Sequence, residues 1–600
     1  MAVKIFRNAG QSSRPKLIPA KHRRTFGASS RHFWSSASNA SSHSNVDPYD
    51  IVIVGGGPAG LSLAAALGSQ STSGDSLKIA LVESSDLGRV RNWKEEASRY
   101  TNRVSSITNA SQQFIKDVGA WKYVDESRTA PIDRMEVWDG VSNARIVFSQ
   151  ADMDADVPQM ARLTENLNLQ RALLQRLDDM PEQVSLLDKT KVESISQPDS
   201  TAWPVVNLSD GSSLQTRLLV GADGPNSPVR KFAGIESYGW SYPTHAVVAT
   251  LFHHPSPAFM TDIDPYSSLS LKNTVAYQRF LPTGPIAFLP LSPSGDVSSL
   301  VWSTTPQLAA FLKTVPPEAL AMLVNAAFRL PDISLRYLNA RLLQLADEGS
   351  VSSEAIEEEI RFRETSDGIS ETSPLYSSDV ATITAGVPPI GSESYPPLVH
   401  SVQPGTPASF PLRLSHADSY VTDRIALIGD AAHTVHPLAG QGLNMGLSDA
   451  KALSETIVET LALGGDIGGY TNLLPYHQRQ YIPNHGILSV TDKLHKLYAL
   501  QSPLAVWARS TGLEVVNELG PLKGALMSAA GASSVSWKGA GSESEYSQAA
   551  SPVWDVAARA IEGVNSAAEL GKAVSSSFLA AAGNLAQNVA RTLEDGSRKV

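Results

Sequence analysis

Three apolar runs in this chain stop abruptly on glycine: DIVIVGGGPAGLSLAAAL from Asp50, TRLLVGADGPNSPVRKFAGI near the middle, and DRIALIGDAAHTVHPLAGQGLNMGLSDAKAL far downstream. Short, Val/Ile/Leu-rich runs bounded by turn residues read as strands buried on both faces. After the first run the small and apolar residues from about Pro58 continue as a helix, and a second strand, LKIALVES, ends near Glu83. Strand, helix and strand in that order predict a parallel βαβ unit. Between Ser241 and Thr305 the pattern changes to THAVVATLF, NTVAYQRFL, IAFLPL and SSLVWS, separated by Pro, Gly and Ser. These predict antiparallel strands, with PQLAAFLKTV and PPEALAMLVNAAF as helices beside them.

Beyond Ile333 the periodicity is lost in a charged patch, EAIEEEIRFRE, and a Ser/Pro/Gly-rich run to Pro404, which predicts an inserted loop, partly disordered. After about Gly531 a Ser/Gly/Ala linker leads to a stretch where Val553, Ala557, Ile561, Val564, Ala568, Val574, Phe578, Leu585, Val589 and Leu593 recur near helical spacing. An amphipathic helix docked on the protein's own surface is expected there, with a membrane or partner contact as the alternative.

Composition removes several chemistries. With no cysteine among 600 residues, disulfides, zinc–thiolate sites, iron–sulfur clusters and thiol nucleophiles are excluded, so redox chemistry must come from a bound cofactor. Met1–Val46 carries eight basic residues, many serines and no acid, the composition of a mitochondrial transit peptide. Outside it 41 basic residues stand against 59 acidic ones, a poor fit to nucleic acid. No window approaches the roughly 18 consecutive apolar residues of a spanning helix, so a soluble or surface-bound protein is expected.

In GGGPAG, Gly55, Gly57 and Gly60 satisfy G-x-G-x-x-G. The first permits the tight strand-to-helix turn, the second lets a pyrophosphate approach, and the third brings helix and strand close. The helix start offers unpaired N–H groups to phosphate. Glu83 stands where an acid accepts from a ribose 2′-OH, as in NAD and FAD sites alike. The two later strand-to-glycine-to-acid turns, Gly221-Ala222-Asp223-Gly224 and Gly429-Asp430, exceed what NAD binding needs. Asp430, on the N-terminal side of a helix, can accept two hydroxyl hydrogen bonds. Gly440 and Gly442 let the backbone pass under a planar ring. His433 and His436, with Asp430, lack a third convincing ligand, so no metal is expected.

Together these segments resemble the flavoprotein aromatic hydroxylases, the group A monooxygenases built like para-hydroxybenzoate hydroxylase. The resemblance implies an α/β chain: a Rossmann-like FAD-binding domain interleaved with an antiparallel-sheet substrate domain, plus a helical C-terminal region. It implies that Asp430 holds the ribityl hydroxyls and that the loop Pro437-Leu438-Ala439-Gly440-Gln441-Gly442-Leu443-Asn444 lies against the isoalloxazine. It also places Asp223 near FAD and any nicotinamide, and Arg103, in NRVSSITNASQQFIKDVGAW, on the FAD ribose and pyrophosphate. Asn166 and Gln170 match the helix that follows, and Gln278, Arg279, Gly284 and Pro290 match substrate-domain strands of the ubiquinone-biosynthesis branch. For Gln278 and Arg279 an exposed position on a strand weighs as much as ligand contact. The resemblance covers about Asp50 to Ala310 and Gly405 to Gly531.

The domain plan expected is a transit peptide over 1–46, the first part of the FAD domain over 47–240, the substrate sheet over 241–332, the insertion over 333–404, the second part of the FAD domain over 405–465, a helical region over 466–531, and the linker and Ala-rich helix over 532–600. By resemblance the protein hydroxylates C5 of a prenylated 4-hydroxybenzoate-type ring through a flavin C4a-hydroperoxide. O2 is its co-substrate, and NADPH supplies electrons through ferredoxin reductase and ferredoxin. It would work peripherally on the matrix side of the mitochondrial inner membrane, among other ubiquinone-biosynthesis proteins. No side chain is identified as catalytic acid or base. Two rival readings are an aromatic hydroxylase of secondary metabolism and a non-catalytic FAD-bound scaffold.

Overall fold

A computed structural model describes residues 46–518 apart from 71–76, 95–97, 153–158, 200–201, 254–272, 350, 370–393 and 438–439. Residues 1–45 of the expected transit peptide and the whole of 532–600 therefore lie outside the described residues. So do Leu438 and Ala439 of the glycine-rich loop.

The apolar run from Asp50 is the central strand, Val46–Val54, of a mainly parallel sheet. Ser213–Gly221 and Ile79–Val82 flank it in parallel, with Ile425–Leu427 and Val184–Leu187 beyond them. Ile51, Val52 and Ile53 are fully buried, as expected of a strand covered on both faces. Helices Pro58–Gly68 and Gly442–Ala462 contribute to that cover. All three glycine-bearing runs thus end at neighbouring carboxyl edges of one sheet, the place where open α/β sheets take ligands.

A second, largely antiparallel sheet runs in the order His433–Thr434, Ala408–Ala417, Ser237–His253, Val297–Thr304, Gly284–Pro290, Val275–Leu281, Arg134–Asp139, Arg145–Ser149. Alternation sorts its faces. Val247, Ala249 and Leu251 pack under a helical layer that includes Leu320, Val324 and Phe328, while Ala246 and Leu412 belong to a cluster on Met445 of the cofactor-side helix. A small third sheet is formed by Val104–Thr108 with Ala161–Glu165 and Thr129–Ile132.

The boundaries differ from the sequence reading in three places. Strands Arg134–Asp139 and Arg145–Ser149, expected within the first part of the cofactor domain, belong to the second sheet. Ala408–Ala417 pairs with Ser237–His253 in that sheet too, so the chain returns to the parallel sheet only from Val421. The expected insertion opens with two helices, Asp332–Asp347 and Ser353–Ser366, and closes with strand Val399–Val402. Leu338, Leu342, Ile356 and Ile360 anchor those helices in the core. Residues 370–393 of it lie outside the described residues.

Two C-terminal helices, Tyr470–Ala499 and Pro503–Glu518, extend the molecule. The second is pinned by Arg509, whose guanidinium pairs at 3.0 Å with Asp139, both groups fully buried. Breaking one member of such a pair costs about 3–5 kcal/mol, because the other is left charged and uncompensated.

Candidate functional site

Gly55 and Gly60 are dictated by the protein's own packing. Gly55 has φ +117°, and a Cβ there would lie 2.2 Å from the Ala222 carbonyl oxygen; one on Gly60 would lie 2.1 Å from that of Gly55. Gly57 differs: a Cβ on it would meet nothing within 4 Å. Its lack of a side chain serves nothing inside the protein, but it leaves open the approach to the first turn of helix Pro58–Gly68, where no side chain caps the N–H groups.

Glu83 closes the neighbouring strand and binds this loop. Its Oε2 accepts from the Gly56 N–H at 2.6 Å, and its Oε1 accepts from the Ser85 N–H and hydroxyl at 2.7 and 2.6 Å. Burial raises its carboxyl pKa, but the hydrogen bonds from Ser85 and Gly56 outweigh that and hold it below the usual range. Gln170 donates to the Gly56 carbonyl at 3.3 Å, which sets its helix against the same loop. Arg103 stands at the start of strand Val104–Thr108 with an exposed side chain, its own carbonyl accepting from the Asn166 N–H at 2.9 Å.

The other two turns converge here. The Ala222 N–H donates to Val54, and the Ile428 N–H to Gly221. Arg230 ties them together, donating to the carbonyls of Ala431 and Pro225. Asp223 is anchored by one oxygen, which accepts from the Val229 N–H at 3.2 Å, while Oδ1 is buried without a hydrogen-bond partner. Burial raises its pKa. Asp430 is solvent-accessible, and desolvation by the protein around it raises its carboxyl too, with His433 and Arg413 opposing. An orphaned carboxylate oxygen, an accessible but desolvated carboxylate and two helix starts without side-chain caps fit a ligand that brings both hydroxyls and phosphates. FAD is such a ligand.

Beneath Asp430 lies a buried group that motif reading passed over. Asp449, fully buried on helix Gly442–Ala462, accepts from the Gly429 N–H at 2.9 Å, from His433 Nε2 at 2.6 Å and from Asn484 Nδ2 at 3.0 Å. Burial disfavours the His433 imidazolium, but the Asp449 carboxylate outweighs it and raises the His433 pKa. The only signal in the sequence was an acid on an otherwise apolar helical face. His436 packs instead on Tyr242 and His495, with ring centroids 5.0 and 4.8 Å away.

Two of the expected cofactor residues look inward. Asn444 accepts from the Thr108 N–H at 3.1 Å and donates to the Ser106 carbonyl at 2.8 Å, clamping the helix start to strand Val104–Thr108. Leu443 is partly buried against the main core. Pro437, Gly440 and Gly442 line the approach to the helix start, with Gly440 at φ +60° beside Ser106. Arg279 is neither an exposed strand residue nor a free ligand contact: it is buried and donates to the carbonyls of Ala327 and Gly140. Gln278 is half-buried.

The raised Asp430 carboxyl has a pH consequence. A carboxylate accepts from ligand hydroxyls more strongly than a neutral carboxyl does, so FAD affinity should fall as pH is lowered through the raised pKa and recover above it. Flavin-fluorescence titrations should show this slope for the parent and a weak, flat affinity for Asp430→Asn. An equal slope in both proteins would assign the effect to another group.

A family profile described as FAD binding domain matches residues 48–304 and 393–477. The chain is 36% identical over 488 residues to the Schizosaccharomyces pombe ubiquinone biosynthesis monooxygenase COQ6, mitochondrial, covering 80% of this chain and 91% of that protein. It is 38% identical to the Saccharomyces cerevisiae protein of the same name, covering 80% and 93%, and 35% identical to the human one, covering 80% and 92%. Among solved structures, p-nitrophenol 4-monooxygenase PnpA of Pseudomonas putida shares the fold with a TM-score of 0.52 at 16% identity, over 81% of this chain and 99% of that one. PqsL, a probable FAD-dependent monooxygenase of Pseudomonas aeruginosa, does so with 0.51 at 21%, over 78% and 100%. Converging glycine–acid turns, an interleaved second sheet and these likenesses place the chain in the mitochondrial COQ6 family of ubiquinone-biosynthesis monooxygenases, FAD-dependent enzymes of aromatic hydroxylation.

Proposed function

We propose that this monooxygenase places one oxygen atom at C5 of a prenylated 4-hydroxybenzoate-type ring, on the matrix side of the inner membrane. Electrons come from NADPH through ferredoxin reductase and ferredoxin. One atom of O2 enters the ring C–H as hydroxyl; the other leaves as water, with two electrons and two protons. Bound and reduced, FAD supplies the O2 activation that no side chain here can perform. Gly57, the first turn of helix Pro58–Gly68 and Arg103 would hold its pyrophosphate, Glu83 its adenosine ribose, and Asp430 its ribityl chain. Asp223 and the 437–444 loop would border the rest. Residues 1–46 are proposed as the transit peptide.

The observation that carries the prenylated substrate is a cavity of about 300 Å3 between hairpin residues Phe280–Pro285, Pro243–Thr244 and the helix end at His495, Tyr498 and Ala499. Its lining is mainly apolar, and Phe280 stacks on Tyr498 with centroids 4.0 Å apart. Through His495 it abuts His436, the residue before the glycine-rich loop. A polyprenyl chain avoids water and needs such a lining between the surface and the ring site, and a dry path also protects a reaction that water would divert.

The test is turnover with ferredoxin, its reductase, NADPH and labelled O2. A prenylated phenol should gain label at C5 and an unprenylated one should turn over poorly. Equal turnover would favour the secondary-metabolism reading, and FAD binding with no oxygen insertion into any ring offered would favour the scaffold.

A further inference from the structure

The mainly apolar cavity beside the end of helix Tyr470–Ala499 holds two polar atoms that the protein itself leaves unused. His495 lines it and is 8% exposed, with Nδ1 buried and without a hydrogen-bond partner. Thr244 on strand Ser237–His253 lines it too, and its hydroxyl is likewise buried and unpaired. Buried polar atoms are almost always satisfied, so two orphans in one cavity point to a ligand that brings a polar group into an apolar setting. The nearest acid on the same helix is already engaged: Asp492 accepts from the Tyr242 hydroxyl at 3.0 Å and pairs with Lys496 at 2.8 Å. Packing holds the His495 ring instead, with centroids 4.7 Å from Tyr242 and 4.8 Å from His436, the residue before Pro437 of the glycine-rich loop. The imidazole is thus fixed on the side of the cavity that meets this loop, with one nitrogen open.

We propose that His495 is a catalytic residue of the hydroxylation, its Nδ1 accepting the hydrogen bond of the ring hydroxyl and taking that proton as oxygen is transferred. Of the described residues that line the cavity, only His495 and Tyr498 titrate. Burial pushes the Tyr498 hydroxyl up, so it stays protonated. Burial pushes the His495 imidazole down, with Asp492 opposing and Lys496 adding to it, so it stands neutral and ready to accept. The titratable groups around it are Tyr242 from the strand, His436 from the loop, which burial pushes down to about 3, and Asp492, Lys496 and Tyr498 of its own helix. Oxygen transfer to an aromatic carbon draws electrons from the ring, and an ionised oxygen releases them far better than a hydroxyl. The O–H bond breaks as Nδ1–H forms. Once the new C–O bond stands, the ring carbon gives up its hydrogen as a proton and the imidazolium returns the first proton to its oxygen, so His495 ends as it began. Thr244 offers a donor to the ring's polar groups. The proposal rests on the prenylated-substrate reading for which ring enters the cavity.

Two measurements on the full-length FAD-loaded protein test this, with His495→Leu and His495→Gln set beside the parent and both checked for bound FAD and melting temperature. The first uses 4-nitrophenol carrying a geranyl group beside its hydroxyl, a probe coloured only when ionised. At a pH below the probe's own pKa, the bound probe should be coloured on the parent and roughly tenfold less so on His495→Leu. The second uses geranylated 4-hydroxybenzoate on enzyme reduced with dithionite and then mixed with O2, so that no protein electron donor takes part. Hydroxylated product per flavin should fall roughly tenfold or more in both variants, the O2 appearing as H2O2 instead. Raising the pH until the free ring ionises should restore product, because an ionised ring needs no base, whereas a structural defect would not recover. Undiminished product in the variants, or no recovery at high pH, would overturn the proposal. Equal colour on parent and His495→Leu would overturn it while leaving the prenylated-substrate reading intact. A parent that bound neither ligand would overturn that reading and this proposal with it.

Discussion

Gly57→Val should give a chain that folds and binds no FAD. Nothing in the protein lies within 4 Å of where its Cβ would be, so the substitution adds no internal clash. Its methyl groups would instead fill the space over the first turn of helix Pro58–Gly68, whose N–H groups have no side-chain cap. Losing two charge-assisted hydrogen bonds to phosphate, at about 1.5–3 kcal/mol each, weakens binding roughly 100-fold or more before any steric repulsion is counted. The neighbouring positions behave differently. Gly60→Val would drive side-chain atoms into the Gly55 carbonyl and should damage the fold itself. Flavin absorbance after dialysis, read beside the melting temperature of the apo protein, separates the two. Gly57→Val purified with its full complement of FAD would remove the pyrophosphate from this loop.

That contrast between glycines also marks how far the sequence could be read. The three strand-to-glycine turns were legible because each is local: an apolar run, a glycine and an acid within a few residues predict both the sheet edge and the ligand chemistry. What pairs with what across long separations was not. Arg134–Asp139 and Ala408–Ala417 carry nothing in their own residues to say that they share a sheet with Ser237–His253, because register is settled by partners far away in sequence. Helix Ser353–Ser366 was hidden for another reason. Its charged residues dominate the composition, and only Ile356 and Ile360, four apart, bury fully against the core. Asn444 was legible as a residue of the glycine-rich loop, but what it binds was not. The family resemblance placed the loop against the ring, and the structure adds that the Asn444 side-chain amide is spent on the backbone of Ser106 and Thr108. Asp449 was missed because a buried carboxylate is recognised by the donors around it, and Gly429, His433 and Asn484 meet it only in the folded chain.

Asp449→Ala should therefore cost both stability and cofactor, although this residue sits below the carboxylate assigned to the ribityl chain. Three donors converge on its side chain in a site with no access to water. Removing it strands the His433 Nε2–H, the Gly429 N–H and the Asn484 amide, and the loss from breaking a buried ion pair alone is about 3–5 kcal/mol. Part of that loss falls on the turn Gly429–Ala431, whose geometry carries Asp430. The melting temperature should drop by several degrees, and the remaining folded protein should bind FAD more weakly because Asp430 is no longer held. Asp449→Asn tests the division of labour. The amide keeps the volume and can still accept the Gly429 N–H, so the fold should largely return, but it cannot hold a charged His433, and the raised His433 pKa should be lost in NMR titration. If Asp449→Ala melted with the parent and kept its flavin, the carboxylate would be a bystander and the turn would have to be held from the sheet side alone.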